Sequence, residues 1–282
     1  MNRKHFPLPL DFIQTHPGLS VLRLAALLAD GDILDDGTLD LMFEQMETGA
    51  VLSAPPADIW LELQRGLMAR TPSLMIRALR ECGVLQIVLP EVSALFGVPQ
   101  IADPTEVDIG LHLLHSLDEA ARQNAPLDVR FALLAMNVGK SDSPREHLPV
   151  HYRHIERGAP RIEAICDRFQ APDSCRKLSL LALAEYERVH RASKVRAGPV
   201  ASMLERLGAF SAPGTFRLLM TVCTCDFLAY GGPPDRVYMK ASLLDTALEA
   251  CANLGDAEDL QLARAHAIAQ AFRSVRWSDG AA

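Results

Sequence analysis

Apolar residues recur every three to four positions along nearly the whole chain, and this spacing is typical of one face of an α-helix. Leu19, Leu22, Leu24, Leu27 and Leu28 form one such series. Aromatic residues make up only 6% of the 282 residues, and a chain rich in Leu and Ala suits helices better than sheets. An all-α fold is therefore predicted, with later helices over 107–123, 126–139, 149–170, 174–192, 195–208, 213–229, 239–252 and 256–275.

The sequence predicts neither a membrane span nor a secretory signal. No stretch approaches the ~18 uninterrupted apolar residues that a membrane helix requires. Asp11 makes the apolar part of the N-terminal segment too short for a secretory signal. The six cysteines include no CxxC pair and lie mostly in apolar helical runs, which is typical of reduced core thiols. We expect a cytoplasmic protein.

Charge is distributed unevenly along the chain. The formal net charge is −7, but residues 141–200 contain 11 basic and 8 acidic residues together with four of the nine histidines. An acidic overall balance argues against broad coating of nucleic acid. The segment 141–200 is the part of the sequence whose charge most favours contact with phosphate.

Several histidines have a spacing that suits metal ligands. His112 and His115 are three residues apart, as are His151 and His154, so each pair shares one face of a helix. The predicted helix 174–192 adds carboxylates and a further imidazole. Metal sites in helical bundles draw such ligands from several antiparallel helices. Isolated histidine pairs on helices also occur as surface or capping residues, so the spacing alone does not establish a metal.

A longer series of phrases occurs in the order found in one protein family. The series comprises Leu19–Ala25, Ile59–Glu62, Leu79–Gly83, Leu89–Glu91, Leu95–Pro99, Asp108–His112, Asp128–Leu133 and Val138–Lys140. On these phrases the chain resembles the C-terminal two thirds of bacterial CCA-adding tRNA nucleotidyltransferases, within the tRNA nucleotidyltransferase and poly(A) polymerase family, over residues 17–275. The resemblance implies an all-α fold with a helical neck and body followed by an HD-domain-like helical bundle.

The resemblance also implies a division of the chain. It gives an N-terminal tail at 1–16, a neck and body domain at 17–100 that resembles the RNA-binding part of the family, and a degenerate HD-like helical domain at 101–282. Gly97–Pro104, which is rich in Gly, Pro and polar residues, is the predicted seam. The family's catalytic head, with its Gly-Ser motif and Asp-x-Asp metal pair, would lie before residue 17. We therefore expect no nucleotidyl transfer by this chain alone, since that reaction needs two metal ions held by acidic residues.

The base-reading motif of the family is altered in this sequence. The family carries a motif of the Glu-Asp-Pro-Leu-Arg type, and here Pro17 stands at the Asp position and Ser20 at the Arg position. Neither residue can imitate the hydrogen bonds of a base pair. Arg23 matches a later Arg of the motif, and helix packing explains its presence equally well. Base selection is expected to be lost.

The metal-binding phrases of the HD domain are altered as well. Active members carry a His-Asp pair in a phrase such as His-Asp-Leu-Gly-Lys, and here Met136 and Asn137 stand at those positions. A thioether and a neutral amide are poor replacements for imidazole and carboxylate at a hard metal. Tyr186 and Glu187 occupy a further His-Asp position, and Tyr152 replaces one histidine of a His-His-Gly-His phrase. The resemblance thus implies an eroded site with weakened metal binding and hydrolysis.

Four residues remain as candidate metal ligands. His112, His151, His154 and Glu187 are predicted to hold, at most, a single weakly bound divalent metal such as Mn, Ni or Mg. The alternative is that the histidines are remnants that make ordinary hydrogen bonds. Lys140 is predicted to lie near the last carbonyls of a helix. No residue is assigned a catalytic role.

Three functions are compatible with these observations. The first is a non-catalytic relative of the CCA-adding enzymes that binds tRNA, another RNA or a separate protein partner, with Arg153 and Arg157 as candidate RNA contacts. Acidic neighbours make a solvated face an equal alternative for these arginines. The second is a residual HD-type metal-dependent phosphohydrolase, either a phosphatase or a cyclic phosphodiesterase. The third is a chain that docks through residues 17–70 onto a separately encoded nucleotidyltransferase head.

Overall fold

The computed structural model describes residues 8–31, 36–102, 105–191, 196–233, 235–254 and 259–274. These residues form fifteen α-helices and one two-stranded antiparallel sheet, which confirms the predicted all-α fold class. Within these ranges, no helix combines the length and the hydropathy that crossing a membrane requires.

Seven helices precede the sheet. They are α1 (Leu10–Thr15), α2 (Pro17–Asp30), α3 (Asp36–Glu47), α4 (Pro56–Leu67), α5 (Pro72–Glu81), α6 (Val84–Val88) and α7 (Pro90–Ser93), with a 3₁₀ turn at Ala50–Ser53. Pro56 and Pro72 lie in the first turns of α4 and α5, where proline removes no intrahelical hydrogen bond. Helix α2 packs against α4 and α5, and Leu22 and Leu24 of its apolar face are buried.

Eight helices follow the sheet, whose strands are β1 (Pro99–Ala102) and β2 (Thr105–Asp108). They are α8 (Ile109–Arg122), α9 (Leu127–Ala135), α10 (His154–Phe169), α11 (Asp173–Arg191), α12 (Ala197–Arg206), α13 (Pro213–Leu228), α14 (Met239–Ala250) and α15 (Leu260–Ser274), with 3₁₀ turns at Val138–Lys140 and Arg145–His147. Helix α11 packs against α9, α10 and α13, so three helices surround the one that carries Tyr186 and Glu187.

Some predicted helix ends are wrong. The helix predicted over 126–139 ends at Ala135, because the chain turns at Met136 into a 3₁₀ turn. The helix predicted over 149–170 begins at His154, because Arg153 has a φ of 57° in the left-handed region that a helix does not tolerate. Part of the predicted seam at Gly97–Pro104 forms β1. The predicted helix ends at 192, 195, 256 and 275 lie outside the described residues, and the domain boundary at residue 100 stays a prediction.

A close contact fixes the turn that carries Lys140. Gly139 packs so tightly against α10 that a Cβ at this position would lie 2.0 Å from the backbone oxygen of His154 and 2.6 Å from the backbone nitrogen of Gly158. No side chain larger than that of glycine fits there without a backbone shift. The contact therefore holds Lys140 beside the N-terminal half of α10.

Arg130 of α9 connects a helix that follows the sheet in the chain to α4, which precedes the sheet. Its guanidinium is 4% exposed and donates from Nη1 to the carbonyl oxygens of Leu67 at 2.8 Å and Ala69 at 2.9 Å, and from Nε to that of Ala125 at 2.9 Å. Leu67 is the last residue of α4, so Arg130 satisfies carbonyls that the end of that helix leaves without partners.

Candidate functional site

A cleft of about 1730 Å³ lies among the hairpin β1–β2, the segment 149–153 and helices α8, α10, α11, α13 and α14. This volume exceeds the roughly 300–1,000 Å³ of ordinary small-molecule pockets. All four residues of the predicted metal set line the cleft: His112, His151, His154 and Glu187. They belong, however, to separate groups of hydrogen-bonded side chains.

The first group centres on the buried carboxylate of Asp226 in α13. Nε2 of His112 donates to Oδ1 of Asp226 at 3.0 Å, because an ionised carboxylate can only accept. Nε2 of His190 lies 3.1 Å from Oδ2 of Asp226, and its Nδ1 is 3.0 Å from the hydroxyl of Tyr238. Burial alone would raise the pKa of Asp226, but the hydrogen bonds of the two histidines hold it well below its ordinary range. Asp226 is thus an anion held between two imidazoles.

The second group centres on the buried ammonium of Lys140. Its Nζ lies 2.8 Å from Oε1 of Glu187, donates to Oε1 of Gln100 at 2.9 Å and also donates to the hydroxyl of Tyr186. Burial alone would raise the pKa of Glu187, but the charge and hydrogen bond of Lys140 outweigh it and lower the pKa to about 2. The prediction that Lys140 lies near the last carbonyls of a helix is wrong, because a buried ammonium needs a carboxylate partner.

Three buried residues stand at the positions where the resemblance predicts metal ligands: Met136, Asn137 and Tyr186. The hydroxyl of Tyr186 donates to Oδ1 of Asn137 at 2.8 Å while it accepts from Lys140. Burial raises the pKa of Tyr186 well above its ordinary value, so the phenol stays neutral. Asn137 and Tyr186 therefore complete the hydrogen bonds around Lys140.

His151 and His154 lie on the segment that enters α10. Nδ1 of His151 is 2.8 Å from Oγ of Ser143, and its Nε2 is 2.9 Å from the carbonyl oxygen of Pro99, so both of its ring nitrogens are engaged. Nδ1 of His154 contacts the carbonyl oxygen of His151 at 2.8 Å, and its Nε2 points toward Glu187 at 3.6 Å. Burial lowers the pKa of both imidazoles, which favours their neutral forms.

As these side chains are arranged, the four predicted ligands do not fit a divalent cation. The ammonium of Lys140 lies against Glu187, and His112 is directed at Asp226. Across the described ranges of the chain, no group of three or more His, Cys, Asp or Glu side chains is placed to hold a metal ion. Metal binding by His112, His151, His154 and Glu187 stays a prediction, which the assays proposed below test.

The two predicted RNA contacts occupy different environments. Arg153 lines the cleft, and its side chain is 76% exposed and paired with Glu156. Arg157 donates to the carbonyl oxygens of Gly139 at 3.0 Å and Tyr152 at 2.7 Å, so its guanidinium holds the segment 149–153 in place. Arg153 is available to a ligand, whereas Arg157 is engaged within the protein.

Arg23 of α2 is also engaged. Its guanidinium makes a two-pronged contact with Glu62, with both N–O distances at 2.5 Å, and the Glu62 side chain is 5% exposed. The packing explanation for Arg23 therefore accounts for its position without a base.

Sequence reasoning missed Asp226, Gln100, Tyr230 and Tyr238. Tyr230 accepts a hydrogen bond from Gln100 at 2.9 Å, and its ring lies 4.0 Å from that of His112, so it connects the two groups. A lone carboxylate in the apolar run of a buried helix requires a polar partner, so the position of Asp226 in the sequence indicates that it has one. The sequence does not identify this partner, because His112 is 114 residues away.

The fold and the cleft define an all-helical protein with an interior charged site that opens to solvent. No family model matches the chain. It is 38% identical over 241 residues to the Multifunctional CCA protein of Dechloromonas aromatica (strain RCB), a match that covers 85% of this chain and 58% of that protein. It is 39% identical over 235 residues to the Multifunctional CCA protein of Cupriavidus necator, covering 83% and 57%. It is 41% identical over 209 residues to that of Polaromonas naphthalenivorans (strain CJ2), covering 74% and 49%.

The chain is therefore similar, over most of its length, to part of the multifunctional CCA proteins, and the resemblance seen in its ordered phrases is confirmed. It spans a little over half the length of the first two of these relatives.

Proposed function

We propose that this chain is a binding module for phosphate-bearing RNA that does not hydrolyse its ligand. The observation that carries the proposal is the charge of the cleft, which is reversed relative to the protein as a whole. The protein has a net charge of −7, yet six cationic side chains face four carboxylates in the cleft. The cations are Lys140, Arg153, Arg188, Arg191, Arg236 and Lys240, and the carboxylates are Asp108, Glu156, Glu187 and Asp226. A concave surface with an excess of positive charge attracts anionic ligands.

Two of these cations are positioned to meet a ligand directly. Lys240 donates to the carbonyl oxygen of His190 and Arg236 to that of Gly231, and neither contact neutralises charge. Burial lowers the pKa of Lys240, and a phosphate bound next to it would restore a counter-ion. The relationship to multifunctional CCA proteins supports RNA as the source of the phosphate.

The absence of hydrolysis is inferred from the charge balance around Glu187. Metal-dependent hydrolysis needs carboxylates that are free to neutralise a divalent ion. Here Glu187 already contacts Lys140 at 2.8 Å and Arg191 at 2.6 Å, and Asp226 lies between two imidazoles. Glu187 is therefore already paired with two of the protein's own cations, and both oxygens of Asp226 already contact imidazoles.

RNA binding can be measured by the fluorescence anisotropy of a labelled RNA oligonucleotide. We expect the affinity to fall as salt rises from about 50 to 200 mM, because phosphate contacts release counter-ions. Replacing two cleft arginines together, Arg153→Gln with Arg188→Gln, should weaken binding about ten-fold and reduce the salt slope by about 0.7 for each lost phosphate contact.

Arg122→Gln is the matched control. Arg122 and Arg188 each pair with a glutamate three residues earlier, and their side chains are 63% and 56% exposed, but only Arg188 lines the cleft. Equal losses in Arg122→Gln and Arg188→Gln, or an affinity that does not respond to salt, would contradict the proposal. Turnover of a phosphomonoester or a 2′,3′-cyclic nucleotide with added Mn, Ni or Mg, abolished by His112→Ala or His154→Ala, would instead establish a phosphohydrolase.

A further inference from the structure

Large exposed apolar side chains are concentrated at the rim of the cleft. Fourteen such side chains are exposed in the described part of the chain, and seven of them line this cleft: Ile101, Leu111, Val150, Tyr152, Tyr230, Val237 and Met239. Exposed apolar surface that is gathered in one place marks an interaction site. The cleft therefore offers its ligand apolar contacts as well as positive charge.

Tyr152 is the most prominent aromatic side chain of this rim. It is 60% exposed, although its backbone is held firmly. Its carbonyl oxygen accepts from Arg157 at 2.7 Å, and the side chain of the preceding residue, His151, is bound to the carbonyl of Pro99. The ring lies at right angles to that of His147, with centroids 5.4 Å apart, and most of the Tyr152 side chain remains accessible to a ligand. An aromatic ring on an anchored backbone binds a flat partner with little loss of entropy.

Exposed cations accompany the apolar side chains around the rim. Arg153 directly follows Tyr152, and Arg191, whose side chain is 78% exposed, lies on the facing helix α11. Surface ion pairs such as Arg153–Glu156 contribute little free energy, so Arg153 can turn to a ligand. Arg191 can do so as well, because Lys140 remains as the counter-ion of Glu187. Alternating cations and stacking surfaces are the arrangement by which proteins bind single-stranded nucleic acid.

We propose that the rim binds the unpaired end of a single-stranded RNA, with a base against Tyr152 and backbone phosphates at Arg153 and Arg191. This inference rests on the proposed RNA-binding function and names its substrate class. In a duplex the base faces are stacked on one another, so the apolar rim would have no partner and only phosphates could be contacted. An acidic peptide could also satisfy the apolar side chains. The six cations of the cleft favour a ligand that carries a charge on every unit, as RNA does.

The test compares a labelled single-stranded RNA with a blunt duplex of the same sequence in anisotropy titrations. We expect the single strand to bind at least ten-fold more tightly than the duplex. Tyr152→Ala should weaken single-strand binding about ten-fold, which is within the range measured for base stacking on aromatic residues, and should leave the salt slope unchanged. Tyr152→Phe should restore the affinity, because the ring is kept. Leu52→Ala, at a residue that is 75% exposed and outside the cleft, is the control.

The possible results separate the two proposals. Equal binding of single strand and duplex, with no effect of Tyr152→Ala, would overturn the inference about the rim and leave the RNA-binding function standing. Failure of either RNA to bind would overturn the proposed function itself. Displacement of the bound single strand by an acidic amphipathic peptide at a lower concentration than unlabelled RNA would overturn the choice of ligand.

Discussion

Replacing Arg130 by methionine is expected to lower the free energy of unfolding by about 3 to 5 kcal/mol, because three backbone carbonyls would lose their donor and each buried group left unsatisfied costs about 1 to 3 kcal/mol. The guanidinium is buried and donates to three backbone carbonyls, two of them at the end of α4. Methionine preserves much of the volume but no donor, so these carbonyls would lose their partners without access to water. Urea denaturation followed by circular dichroism measures the change.

Arg122→Met is the control for this prediction. Arg122 carries the same charge, but its side chain is 63% exposed and bound only to its helical neighbour Glu119. A change of no more than about 0.5 kcal/mol is expected there, as for most surface substitutions. A loss of less than about 1 kcal/mol in Arg130→Met would show that other groups or water can satisfy the carbonyls. Arg130 would then not be the link between α9 and α4 that the structure indicates.

The helices could be predicted from the sequence because their signals are local. Pro56 and Pro72 mark the starts of two helices, and the leucine spacing of 19–28 marks the buried face of a third. The hairpin was missed because its strands have four residues each, too few to show an alternating pattern. The break at Arg153 was missed because a left-handed backbone at a residue other than glycine has no reliable sequence signal.

The residues of the site could be proposed from the sequence, but their partners could not. The family phrases pointed to His112, His154, Tyr186 and Glu187, and the structure places all four at one cleft. What local pattern could not show is that Lys140 reaches a tyrosine 46 residues later. Partners at such separations are determined by helix packing, and spacing rules within one helix extend only three or four residues.

Replacing Glu187 by glutamine is the second change expected to have a large effect, again about 3 to 5 kcal/mol in the free energy of unfolding at neutral pH. The Lys140 side chain is 2% exposed and Glu187 is its carboxylate partner at 2.8 Å. Glutamine keeps the shape of the side chain but not the charge, so the ammonium would remain buried without a counter-ion. Thermal and urea unfolding of the variant and the wild type measure the loss.

The pH dependence gives this prediction a definite sign. The pKa of Glu187 falls from 4.5 to about 2 in the folded state, so the carboxylate stabilises the fold above pH 4.5, and this stabilisation is lost as the pH falls toward 2. The contribution is about 2 to 3 kcal/mol once partial exposure is allowed for. The wild type should therefore lose more stability than Glu187→Gln over this acid range.

A double-mutant cycle then distinguishes the ion pair from simple packing. Lys140→Met leaves Glu187 with Arg191 at 2.6 Å and with partial access to solvent, so its cost should be smaller than that of Glu187→Gln. The double variant Lys140→Met with Glu187→Gln buries no unpaired charge, and we expect it to be more stable than Glu187→Gln alone by at least about 1 kcal/mol. Losses that simply add would show that the two groups do not interact. The inference that Lys140 is the counter-ion of Glu187, and with it the argument against metal-dependent hydrolysis, would then fail.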